Sequence, residues 1–322
     1  MRLINVSTLE MEEFPAGKAP PYAILSHTWG QDHEEMTLRD MYDKINRPGN
    51  GSFKIQKCCQ QAKQDGLQYA WVDTCCIDKT NAVELTEAIN SMFRWYRGAA
   101  VCYAYLSDVS GAEFMPKLHS SRWFMRGWTL QELLAPKTVQ FYNMDWNQIG
   151  TKADLCMEIE QITGIPQHYL LGLTELQEAS VAQRMSWASK RTTTRTEDLA
   201  YCLLGIFDVS MPMVYGEGGA QAFFRLQEEI MKRVRDDSLL AWGLGHDSPG
   251  SGITAGRILA TGPSDFAGCA DIVCRESSTV DLAPMNMSGG RLRIHLPVFT
   301  TSDGDTVGIL NCGPEDDAQQ VV

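Results

Sequence analysis

The chain has 322 residues, and its 40 acidic and 28 basic side chains give a net charge of −12. This length allows one large domain or two ordinary ones. The acidic balance, without any block of like charges, argues against a nucleic acid or an anionic membrane as a partner. No stretch reaches the 18 apolar residues of a membrane span. Ten cysteines without a secretory signal predict a cytoplasmic protein whose thiols are reduced.

The first half of the chain alternates between short apolar runs and amphipathic segments. The predicted strands cover residues 22–26, 69–73, 101–106 and 139–142. Asn81 is a predicted N-cap, with Glu84 in capping-box position, for one of the helices between them. Because the gaps are too long for hairpins, the strands should be parallel, with 22–26 beside a central strand 101–106. The sequence therefore predicts an α/β fold with helices flanking a parallel sheet.

After Trp146 the pattern changes twice. Helical periodicity covers residues 154–163, 180–189, 196–207 and 218–235, and Thr196 is a predicted cap for the third of these. Short strands separated by glycines follow from residue 250. We therefore expect an α/β domain over 1–150, a helical accessory region over 151–245 and a small β-rich region over 246–322.

Polar side chains follow two of the predicted parallel strands. In such sheets ligands bind beyond the carboxyl ends of the strands. The candidate binding residues at these ends are Ser26, His27, Thr28, Trp29, Gly30, Asp73 and Asp78. A Cys–His pair formed by His27 with Cys75 or Cys76 is an alternative, although buried cysteines at strand ends are usually structural.

The stretch 120–136 contains the strongest single candidate for chemistry. A helix beginning near Gly127 would place Trp128 and Glu132 four residues apart on one face. Leu130, Leu133 and Leu134 would point into the core. Pro136 would end the helix before the next strand. Two interpretations stay open, because Glu132 can act as a chemical group or can pair with Arg126 or Lys137 at the surface.

Several known motifs are missing from the sequence. There is no phosphate-binding P-loop, and the glycine-rich run 216–219 does not fit a dinucleotide fingerprint. The histidines are scattered, and Cys269 and Cys274 lack the second half of a zinc site. We therefore expect no metal site and no cofactor.

Three blocks resemble the fungal heterokaryon-incompatibility (HET) domain. They are residues 22–30 (YAILSHTWG), 69–79 (YAWVDTCCIDK) and 126–133 (RGWTLQEL), and they occur in the order of the family over residues 20–145. Residues 191–205 and 215–218 are similar to segments that follow the domain in larger members. The resemblance implies a role in fungal self/non-self recognition that ends in the death of fused, incompatible cells.

The resemblance also implies kinship to TIR domains, which have a flavodoxin-like parallel sheet. In many TIR domains the glutamate of a Trp-Cys-x-x-Glu-Leu motif cleaves NAD. Residues 128–133 are similar to that motif, with Thr129 in place of the cysteine. The resemblance thus implies that Glu132 is catalytic, that Trp128 is its neighbour, and that the loop from His27 contacts the dinucleotide. Arg126 and Trp128 are two further candidate substrate-binding residues.

These observations lead to a principal hypothesis and two alternatives. The principal hypothesis is an NAD-cleaving effector of cell death that becomes active on self-association, with NAD as substrate. An upstream receptor or an oligomerisation partner fits this role. The first alternative is a signalling module without catalytic activity, and the second is a cysteine-dependent hydrolase. Whether the chain is a short form of a longer receptor is left open by its strand-like end.

Overall fold

A computed structural model describes residues 1–45, 50–111, 114–244, 257–275 and 285–317. The chain forms two compact units, Met1–Leu173 and Thr174–Val322. The predicted boundary at residue 150 therefore lies inside the first unit. The predicted three-part organisation, with boundaries at 150 and 245, stays a prediction of domain organisation.

The first unit is built on a seven-stranded sheet. The strands are β1 (Arg2–Asn5), β2 (Met11–Glu13), β3 (Tyr22–His27), β4 (Tyr69–Trp71), β5 (Val101–Tyr105), β6 (Val139–Tyr142) and β7 (Gln148–Thr151). Their order is β2-β1-β4-β3-β5-β6-β7. The inner strands β4, β3, β5 and β6 are parallel, and the others pair antiparallel at the edges.

The four parallel strands confirm the predicted sheet. Every residue of β3 and β5 is buried, which explains why both strands are nearly continuous apolar runs. These two strands are neighbours, as predicted, with Ala23 opposite Val101 and His27 opposite Tyr105. Numbered among themselves, the parallel strands lie in the order 2-1-3-4, which is the flavodoxin-like order. The switch point of this topology lies between β3 and β5.

Eight α-helices accompany the sheet in the described part of the first unit. They are α1 (Leu38–Tyr42), α2 (Asn50–Gln64), α3 (Asp73–Cys76), α4 (Ala82–Gly98), α5 (Met115–His119), α6 (Thr129–Leu134), α7 (Cys156–Thr163) and α8 (Gln167–Leu170). Asn81 caps α4 as predicted, since its side chain accepts from the amides of Val83 and Glu84. The capping box was wrong, because the Glu84 carboxylate binds Arg2 and the Asp78 amide instead.

The N-terminus of α2 lies unusually close to the loop that follows β3. A Cβ atom at Gly51 would lie 2.1 Å from the backbone oxygen of Glu34, so only glycine allows this approach. One turn later, α2 carries Lys54, which is 2% exposed. The close approach therefore brings a buried cation to the loop that carries Glu34 and Glu35.

In its described residues, the second unit combines three α-helices with three two-stranded sheets. The helices are α9 (Val181–Ser186), α10 (Asp198–Tyr201) and α11 (Gly219–Arg233), and the sheets pair β8 (Ile272–Cys274) with β13 (Cys312–Pro314), β9 (Asn286–Ser288) with β10 (Arg291–Arg293), and β11 (Val298–Thr300) with β12 (Thr306–Gly308). The predicted β-rich C-terminal region is confirmed. The predicted Thr196 cap was wrong, since Glu197 is the N-cap residue of α10 and its carboxylate accepts from Gly216 and Gly218.

Among the described residues, no helix is both long enough and apolar enough to cross a membrane.

Candidate functional site

Glu132 lies on α6, a helix of only six residues. A short 3₁₀ helix, Arg122–Met125, comes just before it. The Thr129 hydroxyl joins the two, since it lies 2.5 Å from the Trp123 carbonyl oxygen and 2.9 Å from that of Arg126. Leu130, Leu133 and Leu134 are buried, as predicted. The start of α6 is therefore fixed to the 3₁₀ helix before it.

The Glu132 carboxylate faces the end of β3, where it meets Ser26. The Ser26 hydroxyl donates to Glu132 Oε2 and accepts from the Trp123 indole, whose Nε1 is 2.8 Å from Ser26 Oγ. Glu132 is 7% exposed, and Ser26 and Trp123 are fully buried. The carboxylate is thus held at a single orientation by a chain of two hydrogen bonds.

Burial is the main influence on the acidity of Glu132. It raises the pKa of this carboxyl group to about 8, and the negative charge of Asp73 adds to the increase. The hydrogen bond from Ser26 acts in the opposite direction. A carboxyl group with this pKa is largely protonated at pH 7, and a positive charge placed beside it would favour its ionised form.

A second polar network begins one residue further along β3. His27 Nε2 is 3.0 Å from Asp73 Oδ1, and His27 Nδ1 is 2.8 Å from Lys54 Nζ. Lys54 also pairs with Glu35 Oε1 at 2.5 Å, and that oxygen accepts from the Gly30 amide at 2.7 Å. The network therefore crosses from α3, through β3 and α2, to the loop after β3.

The partners of His27 define its protonation. The Lys54 ammonium has only donors, so His27 Nδ1 must accept and Nε2–H donates to Asp73. Burial and the charge of Lys54 lower the pKa of His27, which favours this neutral form. Burial alone would raise the pKa of Asp73, but the Lys79 charge and the hydrogen bond from His27 outweigh it and lower the pKa. Asp73 is therefore ionised at neutral pH.

Trp29 and Lys79 form the exposed edge of this network. Trp29 Nε1 donates to Asp73 Oδ2 at 2.9 Å, and the Lys79 ammonium lies 3.5 Å from the centre of the indole ring. Trp29 is 41% exposed, although Asp73 binds the indole nitrogen and Lys79 packs on the ring. An oriented aromatic ring at the surface can stack against a planar ligand.

The structure brings together most of the predicted site residues. Ser26, His27, Trp29, Gly30, Asp73 and Glu132 all take part in the two networks described above. Thr28 lies apart from them, with its hydroxyl 3.4 Å from that of Ser107 beyond β5. Asp78 does not join, because its carboxylate accepts from the amide and hydroxyl of Thr80 in a local turn.

Of the two other candidates near Glu132, Arg126 acts on it, because its positive charge lowers the pKa of the Glu132 carboxyl group. Trp128 is the half-buried N-cap residue of α6, and Arg126 is half-buried just before it. The indole that binds Ser26 belongs instead to Trp123, five residues earlier. Glu132 is buried, so the alternative in which it pairs with Arg126 or Lys137 at the surface was wrong.

The cysteines near the site do not form a reactive pair with His27. Both nitrogens of His27 are already engaged, and the Cys75 thiol is directed towards the Val72 carbonyl oxygen. The hydrogen bond with Cys76 and burial raise the pKa of Cys75 well above that of a free thiol. Cys58, Cys59, Cys75 and Cys76 are buried free thiols. Over the described ranges, no cluster of three or more His, Cys, Asp or Glu side chains could hold a metal ion.

Sequence reasoning missed three residues of the site: Trp123, Lys54 and Glu35. Lys54 and Glu35 both belong to charged types that are almost never buried without a partner, and only the fold shows that they meet. Trp123 lay in the stretch that was singled out for Trp128. Its signal was present, since an indole needs a hydrogen-bond acceptor when it is buried.

The comparisons with known proteins match two segments of the chain to family models. Residues 22–118 match the family model described as Heterokaryon incompatibility protein (HET). This range covers β3, β4 and β5, the strands that carry or adjoin Ser26, His27 and Asp73. This match agrees with the resemblance to the HET domain in the sequence of this segment. Residues 221–257 match a second model, described as a Domain of unknown function (DUF8212).

The chain is also similar in sequence to the Vegetative incompatibility protein HET-E-1 of Podospora anserina. It is 50% identical over 238 residues, which are 71% of this chain. The same match covers only 17% of the relative, so the chain spans a small part of that protein's length. No solved structure gave a significant match.

Proposed function

We propose that this protein acts in heterokaryon incompatibility as an NAD-cleaving effector of cell death, activated by self-association. The HET domain and the incompatibility protein of Podospora anserina support the role in incompatibility. The flavodoxin-like order of the parallel strands supports a TIR-like fold for the first unit. NAD is the proposed substrate, and no separate cofactor is needed for its hydrolysis.

The observation that carries the proposal is the position of Glu132. Its carboxyl group lies against Ser26, at the end of the strand beside the switch point where such sheets bind ligands. It is buried and oriented by hydrogen bonds, and its pKa is raised to about 8. A buried carboxyl group with a displaced pKa at such a position is a candidate for catalysis.

The chemistry of NAD fits a single carboxylate. Water replaces nicotinamide on the ribose carbon, giving nicotinamide, ADP-ribose and a proton. The sugar passes through an oxocarbenium-like state, which a nearby carboxylate stabilises. The pyridinium of NAD carries a positive charge, so a bound substrate would lower the pKa of Glu132 and favour the carboxylate. Nicotinamide leaves as a neutral molecule and needs no acid.

The test is Glu132→Gln, measured by nicotinamide release from NAD at several protein concentrations. We expect a loss of at least a hundredfold in rate, because stabilising charge in a buried site is commonly worth ~3–4 kcal/mol. Glu87→Gln on the exposed face of α4 is the matched control and should keep the parental rate. A folded Glu132→Gln protein that cleaves NAD at the parental rate would contradict the assignment.

The pH dependence gives an independent check. The free protein should gain kcat/KM as pH rises towards 8, since the ionised carboxylate is the active form and kcat/KM reports the free protein's pKa. A rate that is flat from pH 6 to 9 would exclude Glu132 as the group that titrates.

A signalling module without catalytic activity is the second candidate. The burial of Glu132 and its hydrogen bond with Ser26 favour it, because a structural carboxyl group has the same features. This candidate predicts no nicotinamide release at any protein concentration. A cysteine-dependent hydrolase is disfavoured by the raised pKa of Cys75, and thiol alkylation should leave NAD cleavage intact.

A further inference from the structure

Two cysteines of the second unit face each other across a pair of antiparallel strands. Cys274 ends β8 and Cys312 begins β13, and the register places them directly opposite. Neither residue belongs to the adjacent cysteine pairs near the candidate site. Because the period of a strand is two, opposite residues have their side chains on the same face of the sheet.

The backbone hydrogen bonds on either side show that Cys274 and Cys312 form a non-hydrogen-bonded pair of the antiparallel ladder. The Arg275 amide donates to Asn311 O at 3.0 Å, and the Glu315 amide donates to Asp271 O at 2.8 Å. Cys274 and Cys312 therefore occupy the position between two hydrogen-bonded pairs. The Cα atoms at such a position are about 4.5 Å apart. Disulfides require about 4.4–6.8 Å between Cα atoms, so this backbone can accept one without moving.

Oxidation would remove the hydrogen bond that the Cys274 thiol donates, and its acceptor has other donors. The Cys274 thiol donates to Asp236 Oδ1 at 2.8 Å. That carboxylate also accepts from the Ser238 amide and hydroxyl and from the Val181 amide, so it keeps three donors without Cys274. Cys274 is an exposed residue, whereas Cys312 is fully buried.

We propose that Cys274 and Cys312 are an oxidation site, at which a peroxide converts the two thiols into a disulfide that links β8 to β13. The Cys274 thiol first loses its proton to solvent, and the thiolate attacks one peroxide oxygen. The O–O bond breaks, giving a sulfenic acid and hydroxide, and the hydroxide takes up a proton from solvent to become water. The Cys312 sulfur then attacks the sulfenic sulfur and releases a second water. Two electrons and two protons leave the cysteines, and hydrogen peroxide becomes two waters.

The acidity of the thiols determines the speed of this reaction. Burial and the neighbouring Asp236 raise the pKa of Cys312 to about 12, and the same two causes raise the pKa of Cys274 well above that of a free thiol. The thiolate is the nucleophile, so oxidation should be slow at pH 7 and accelerate about tenfold per pH unit. Thiols of high pKa are also poor leaving groups, so the disulfide should be reduced slowly. These properties suit a lasting cross-link better than a rapid sensor.

The experiment treats the full chain with hydrogen peroxide, blocks the remaining thiols with an alkylating agent and maps the peptides without reduction. We expect a peptide that joins Cys274 to Cys312, formed about a hundredfold faster at pH 9 than at pH 7. The Tm should rise by several degrees on oxidation and return after dithiothreitol, because the link closes a long loop.

Variants separate this pair from its neighbours. Cys269→Ser should form the same linked peptide, whereas Cys274→Ser and Cys312→Ser should not. In Cys312→Ser, Cys274 should instead remain a sulfenic acid that a dimedone probe captures. A link between Cys269 and Cys312, or oxidation of Cys274 to a sulfinic acid without any link in the parent, would overturn the proposal.

Discussion

At the scale of single residues, the acidity of Glu132 ties stability to pH. The pKa of this group is raised by burial from 4.5 in an unfolded chain to about 8 in the folded one. Between these values the folded state binds more protons than the unfolded state, so stability falls as pH rises. The destabilisation caused by ionising this buried carboxyl group is fully present above pH 8 and absent below pH 4.5.

Glu132→Gln should therefore be more stable than the parent in alkaline solution. Glutamine cannot ionise, and its amide oxygen can still accept from Ser26. We expect a gain of ~4 kcal/mol in the free energy of unfolding at pH 9, shrinking towards zero near pH 5. Urea unfolding of both proteins from pH 5 to pH 9 measures it. If the stability difference does not change over this range, Glu132 is not the buried acid described above.

Some residues of the site could be predicted from the sequence, and others could not. Ser26, His27 and Asp73 were found because they follow strands of a recognisable pattern, and Glu132 was found from its motif. Lys54 was not found, since it lies on a helix whose polar face gave no sign of being buried. Its burial depends on Gly51, which lets α2 approach Glu34. A contact of this kind follows from tertiary packing and not from local spacing.

At the scale of elements, α6 depends on partners outside its own six residues. A helix this short is not stable by itself. Lys152 binds its C-terminal end, because the ammonium donates to Leu133 O in the last turn at 3.0 Å and to Pro136 O just beyond the helix at 2.8 Å. Lys152 is 4% exposed, and burial lowers its pKa to about 8. A cation at the C-terminus of a helix also interacts favourably with the helix dipole.

We expect Lys152→Met to loosen α6. Two carbonyl groups would lose a charged donor, which costs about 2–3 kcal/mol in the free energy of unfolding. The measurement is made at pH 6.5, where the ammonium is protonated. Amide hydrogen exchange should accelerate in residues 129–135. The control is Lys137→Met, whose side chain is exposed beside the same helix and should change stability by no more than about 0.5 kcal/mol. Equal effects of the two substitutions would contradict this role.

Element boundaries were predicted unevenly, and the reasons are physical. Strands β3, β5 and β6 matched because a buried parallel strand has a continuous apolar run that few other structures share. The helix predicted over 196–207 is limited in the structure to Asp198–Tyr201. The segment has helical periodicity. However, the Glu197 carboxylate accepts from the Gly216 and Gly218 amides, so a tertiary contact determines the conformation at the start of the segment.

At the scale of the whole molecule, the candidate site belongs to one unit. Ser26, His27, Asp73, Trp123 and Glu132 all lie within Met1–Leu173, and so does Lys152. This unit contains the complete seven-stranded sheet and its own buried core. By contrast, Cys274 and Cys312 lie in the second unit, so oxidation and NAD cleavage can be tested separately.

A fragment of residues 1–173 should therefore fold and keep the chemistry of the full chain. A unit of this size buries enough apolar surface to unfold as one cooperative transition. Circular dichroism during thermal unfolding tests the fold, and nicotinamide release tests the activity. If self-association activates the protein, the rate per molecule of the fragment should rise with its concentration, and Glu132→Gln in the fragment should abolish it. A cooperatively folded fragment that releases no nicotinamide at any concentration, while the full chain does, would place an essential group beyond residue 173.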